Sequence, residues 1–83
     1  MADVEVYGTD QCDDTRHALE RMRQQGIGFS YVNIDEDPEA DQWVRQQNGG
    51  ARRTPTIKVG ARVLSVPDDD ELDRALRGIA ALS

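Results

Sequence analysis

The stretch Val4-Glu5-Val6-Tyr7-Gly8-Thr9-Asp10-Gln11-Cys12-Asp13-Asp14-Thr15-Arg16 decides how this chain folds. Val4 and Val6 alternate with Glu5, as along a strand that buries one face. A polar turn follows, and a helix begins near Cys12, with Ala18, Leu19 and Met22 at helical spacing over residues 13–25. Cys12 is the single cysteine of the 83 residues. At a helix N-terminus a thiol meets unpaired N–H groups and positive dipole potential, both of which favour the thiolate. The position three residues on holds Thr15, so no second thiol can close a local disulfide.

Working outward, Gly26 and Gly28 stop that first helix. Phe29 to Ile34, rich in β-branched and aromatic residues, reads as a second strand. Asp37 is placed to cap a second helix with Pro38 at its first position. Ala40, Trp43 and Val44 form that helix's apolar stripe, and Asn48-Gly49-Gly50 closes it. Thr56 to Val59 and Arg62 to Val66 read as strands joined by the tight turn Gly60-Ala61, an antiparallel hairpin. Pro67 breaks the fourth strand, and Asp68 with Glu71 makes a capping pair for a last helix. Leu72, Ala75, Leu76, Ile79 and Ala80 give that helix its apolar face. The order is β-α-β-α-β-β-α, an α/β fold with a four-stranded mixed sheet flanked by three helices. The strand–helix–strand start implies a parallel pair with a right-handed crossover.

Residues 1–83 make one small domain with a modest core. A net charge of −6, concentrated in Asp35 to Asp41 and Pro67 to Asp73, argues against a general affinity for nucleic acid. No apolar run has the length of a signal segment or a membrane span. A lone cysteine suits a reducing compartment, so a cytoplasmic location is expected. One cysteine and one histidine fall short of a zinc set, so no metal is expected.

The element order, with Cys12 ahead of a distant Thr54-Pro55, resembles a glutaredoxin, the short form of the thioredoxin fold. The stretch Asn48-Gly49-Gly50-Ala51-Arg52-Arg53-Thr54-Pro55-Thr56-Ile57-Lys58 is similar to mycoredoxins, the actinobacterial branch that handles mycothiol. Val63-Leu64-Ser65-Val66-Pro67 and Asp70-Glu71-Leu72 continue that likeness. The resemblance implies that Pro55 is cis and packs beside the thiol, and that Thr54 offers its backbone to the substrate's cysteine. It implies thiol–disulfide exchange, with protein mixed disulfides and a small thiol such as glutathione or mycothiol as substrates and no bound cofactor; a monomer is expected. In this family the corner at Asp68 to Asp70 holds the γ-glutamyl end of glutathione, which Asp69 or Asp70 could do; helix capping is the alternative. The chain departs from the family at its motif. Cys12-Asp13-Asp14-Thr15 stands where Cys-x-x-Cys or Cys-x-x-Ser is usual, and it does not match the Cys-Gly-Phe-Ser of cluster-binding members.

A monothiol route needs only Cys12. Thr15 cannot attack a disulfide, but its hydroxyl can donate to a thiolate one helical turn away. Carboxylates disfavour a neighbouring negative charge, so Asp13 and Asp14 predict a slower thiol than is usual in the family. Arg16, four residues from Cys12 on one helix face, and Arg52 and Arg53, in the loop before Pro55, would offset part of that. Arg52 and Arg53 read either as solvated loop charges or as captors of an anionic thiol's carboxylate. Against the oxidoreductase stands a second reading, a binding or adaptor module that kept the fold and lost the chemistry. The Cys12-x-x-Thr15-Arg16 start also resembles arsenate reductases, but the chain is too short for their inserted helical segment.

Overall fold

A computed structural model of the chain describes residues 3–80. The ends of the predicted 1–83 domain and the side chain of Ala80 lie outside the described residues. The elements are β1 (Val4–Gly8), α1 (Asp13–Gln24), β2 (Ser30–Asn33), α2 (Pro38–Gln47), β3 (Thr56–Val59), β4 (Arg62–Ser65) and α3 (Asp69–Ala80). The sheet order is β2-β1-β3-β4. β1 pairs parallel with β2 and antiparallel with β3, and β3 pairs antiparallel with β4. This is the predicted order and the predicted mixed sheet.

The period of two along β1 sorts its side chains between two layers. Val4, Val6 and Gly8 are buried on the face that carries α1 and α3. There Val4, Val6, Ile57, Val59 and Leu64 of the sheet meet Ala18, Leu19 and Met22 of α1 and Leu72, Ala75 and Leu76 of α3. Tyr7 points to the other face, where its ring lies 4.6 Å from that of Trp43 on α2. Beside them Val44 is fully buried. Trp43 is therefore a half-buried helix-face residue that closes the second layer.

Helix starts follow the acidic punctuation. The Asp37 carboxylate accepts from the N–H of Ala40 at 3.1 Å, with Pro38 in the first turn. The Asp68 carboxylate accepts from the N–H of Glu71 at 2.8 Å. Each satisfies an N–H that the helix itself leaves unpaired. Three predicted elements are shorter by a residue, β2 at both ends and α1 and β4 at their C-terminal ends. β2 is Ser30–Asn33, the span that β1 can pair. α1 ends at Gln24, where Gln25 becomes the cap and donates to the Arg21 carbonyl. β4 ends at Ser65, because Val66 turns to a φ of 45°. Gly60, at a φ of 59°, supplies the left-handed residue that the β3–β4 turn requires.

A polar ladder fastens α1 to α3. Arg21 Nη2 donates to Asp73 at 2.6 Å, Arg21 Nε at 3.0 Å and Gln25 Nε2 at 3.1 Å. One rung up, His17 meets Asp69 at 2.8 Å. The Arg21 guanidinium, with the Gln25 amide, holds the Asp73 carboxyl down at about 2. A carboxyl depressed by folding stabilises the fold above its unfolded value and loses that contribution as pH falls through its folded value. Asp73→Asn should therefore lower the melting temperature at neutral pH. It should also lose less stability than the parent between pH 3.8 and about 2, as thermal melts across that range will report.

Candidate active site

Cys12 sits at the N-cap of α1, in extended conformation, after the β1 strand and the three residues Thr9 to Gln11. Its side chain is half-buried. Across from it runs the loop into β3, where the Thr54–Pro55 bond is cis. Thr54 reaches the sulfur twice. Its hydroxyl donates to Sγ at 3.3 Å, and the thiol faces its backbone carbonyl at 3.6 Å. The sheet thus brings together two segments 42 residues apart.

Beneath the sulfur lies Thr15, fully buried, with a hydroxyl that has no partner in the resting thiol. An unsatisfied buried hydroxyl costs about 1–3 kcal/mol. Gly8 explains how it fits. A Cβ at Gly8 would stand 2.5 Å from Thr15 Oγ1 and 2.6 Å from its methyl carbon. Only glycine lets β1 and α1 approach this closely, and the contact fixes Thr15 under Cys12.

These groups set the acidity of the thiol. Burial raises it, but the hydroxyls of Thr15 and Thr54 and the backbone N–H groups of Thr15 and Asp14 outweigh burial, and the pKa falls below the ordinary thiol value. The expected penalty from Asp13 and Asp14 does not appear. Both carboxylates are exposed on the first turn, and Asp14 acts on the sulfur through its N–H instead. Arg16 is also displaced from its expected role, because its guanidinium pairs with Asp13. Water screens that exposed pair, so neither charge does much to the sulfur.

The expected substrate-binding residues divide. Arg52 is bound to Asp35 and, at 2.8 Å, to Asp41, so its guanidinium is committed to joining this loop to α2 and the β2–α2 turn. Arg53 is exposed and, among the described residues, forms no ion pair. Asp69 is engaged by His17 at 2.8 Å and Arg21 at 3.5 Å, whereas Asp70 is exposed. Helix capping at that corner falls to Asp68 alone.

Three contributors escaped the sequence reading. Asn48, read only as a helix stop, donates to the Val44 carbonyl at 2.7 Å and to Thr56 Oγ1 at 3.2 Å. Thr56 in turn donates to the Arg53 carbonyl at 2.8 Å, so the two residues brace the loop that carries Thr54 and Pro55. Tyr31 donates to Asp10 at 2.7 Å. Burial and this bond push its phenol up, and the negative charges of Asp10, Asp35 and Cys12 add to the rise. An isolated Asn or Tyr carries no sequence signal for such a role. Gly8 directly before the turn was a usable one.

Replacing Thr15 by Val keeps the shape and deletes the hydroxyl. Two opposite effects are expected. The thiolate absorbance of Cys12 should titrate at higher pH, while resistance to urea increases by about 1 kcal/mol as the unpartnered hydroxyl is removed. Gly8→Ala should weaken both, because it drives Thr15 out of place.

Residues 4–64 match the family model Glutaredoxin. Mycoredoxin 1 of Corynebacterium glutamicum is 34% identical over 58 residues, which cover 70% of this chain and 71% of that protein. The fold is similar to the crystal structure of a glutaredoxin from Archaeoglobus fulgidus, with a TM-score of 0.77 at 23% identity over 94% of this chain and 89% of that one. A wheat glutaredoxin gives 0.74 at 19% identity, over 98% and 79%.

Proposed function

The chain belongs to the glutaredoxin family, a thiol–disulfide oxidoreductase of thioredoxin-like fold, and from that premise we propose that Cys12 is its nucleophile in a monothiol cycle. The Cys12 thiolate attacks the small-thiol sulfur of a mixed disulfide. The sulfur–sulfur bond breaks, the target leaves as a reduced thiolate, and Cys12 now carries the small thiol. A second small thiolate attacks that carried sulfur, releasing the small disulfide and regenerating Cys12. The net reaction converts one mixed disulfide and one small thiol into one protein thiol and one small-thiol disulfide.

The observation that carries the reading is the lowered pKa of Cys12 between the two threonine hydroxyls. A thiolate is the attacking species, and lowering its pKa raises its population at neutral pH. It speaks against the inert binding module, which has no use for an activated thiol. In the resting thiol the Thr54 carbonyl faces the S–H. Once the proton leaves, that carbonyl is free to take an N–H from the substrate's backbone, as the family resemblance implies for the residue before Pro55.

The small thiol is proposed to be mycothiol ahead of glutathione. The mycoredoxin relative supports this. So does the charge pattern: Arg16 and Arg52 are already paired with carboxylates, which leaves Arg53 to meet an anionic thiol. Mycothiol, a sugar-linked thiol without carboxylates, needs no such partner. Arg53, Thr54 and Asp70 are the proposed contacts for it, with Asp69 held in place by His17 and Arg21. The protein is proposed to act as a monomer in the cytoplasm. Among the described residues no helix is long and apolar enough to cross a membrane.

Incubation with a peptide mixed disulfide, read by intact mass, tests the cycle. The parent should gain the mass of the small thiol on Cys12 and release reduced peptide, and added small thiol should remove the adduct. Cys12→Ser should neither gain the mass nor release peptide. Peptide release by Cys12→Ser at the parental rate would defeat the assignment.

A further inference from the structure

The three helices do not start alike. At α2 and α3 a carboxylate accepts from the helix's own N–H groups, Asp37 from Ala40 at 3.1 Å and Asp68 from Glu71 at 2.8 Å. At α1 that place belongs to Cys12, whose side chain makes no cap bond. This leaves the first N–H groups free for a thiolate, but it also leaves the entry of the chain without the tie that a capping side chain supplies. Inside the entry turn the Cys12 N–H reaches the Thr9 carbonyl at 3.3 Å, which is long for such a bond.

The missing tie comes from outside the helix. Tyr31 stands on β2, an edge strand of the sheet, opposite Val6 of β1, and its ring packs against the core. Its hydroxyl donates to Asp10 in the Thr9–Gln11 turn at 2.7 Å. A hydrogen bond to a carboxylate is of the stronger kind, and Asp10 is two residues from Cys12. Among the described residues this is the one side-chain bond that joins the turn to another element. A ring anchored in the core thus steadies the segment on which the sulfur is mounted.

We propose that Tyr31 is a positioning residue for Cys12: it holds the Thr9–Gln11 turn so that the sulfur stays aligned with its donors at the start of α1 and at Thr54. Tyr31 touches no reacting atom and acts through Asp10. The proposal rests on the reading of Cys12 as an activated nucleophile. It adds a residue, on a strand far from the motif in sequence, on which that activation depends.

The test follows Cys12 alkylation against pH, by intact mass, in native protein and in denaturant. Tyr31→Phe keeps the ring and deletes the hydroxyl. It should raise the native midpoint by about half a unit, a loss of about threefold in thiolate at neutral pH, and leave the denatured midpoint in place. Asp10→Asn keeps an amide oxygen that can accept from the phenol, and should not raise the midpoint. The double variant should lie above Asp10→Asn by the same half unit. If the double variant and Asp10→Asn coincide, Tyr31 merely masks the Asp10 charge, and the positioning role is overturned. A Tyr31→Phe protein that melts lower with its native midpoint unmoved also overturns it, since the bond then serves stability alone. A parent whose native midpoint is not below its denatured one overturns the activation of Cys12 as well.

Discussion

The sulfur of Cys12 is held at the start of α1 between two hydroxyls, and much of the structure exists to keep them there. Thr54 comes from the loop before β3, braced by Asn48 and Thr56. Thr15 comes from α1 itself and is pinned by the close approach of Gly8. The Thr15 hydroxyl is costly while the thiol is protonated, since it is buried and unpartnered. Ionisation of Cys12 gives it an acceptor. Burial of the thiol alone would raise its pKa, so donors from two segments are required to reverse the sign.

The charges around the site are largely spent on one another. Asp13 takes Arg16, Asp35 and Asp41 take Arg52, and Asp69 and Asp73 take Arg21. This pairing resolves the apparent conflict in an acidic Cys-Asp-Asp-Thr motif. Asp13 and Asp14 reach outward into water, where dielectric screening weakens their field, while the Asp14 N–H stays on the sulfur's side. Short-range hydrogen bonds therefore decide the acidity of the thiol over longer-range charge. The same pairing makes Arg52 a strut of the fold, whatever else it does.

Fold class, element order and the two site anchors were legible in the sequence because each has a local cause. Period-two alternation marks Val4 to Val6, Asp37-Pro38 and Asp68 mark helix starts, and Cys12 lies between a strand and a helix. The site's electrostatics were not legible. Whether Asp14 acts through its carboxylate or its N–H depends on which way the first turn faces. Which cation remains free depends on partners 11 and 17 residues from Arg52. Val66 read as the end of a strand, and its φ of 45° puts it in the turn that follows. Asn48 read as a helix stop because its second partner, Thr56, belongs to another element.

The central claim is that folding makes Cys12 more acidic. The pH dependence of its alkylation, followed by intact mass in the native protein and again in denaturant, measures this directly, since a single cysteine needs no assignment. The native midpoint should lie below the denatured one. A native midpoint equal to or above it would mean that burial and the acidic pair prevail over the two hydroxyls, and that the thiol is not activated.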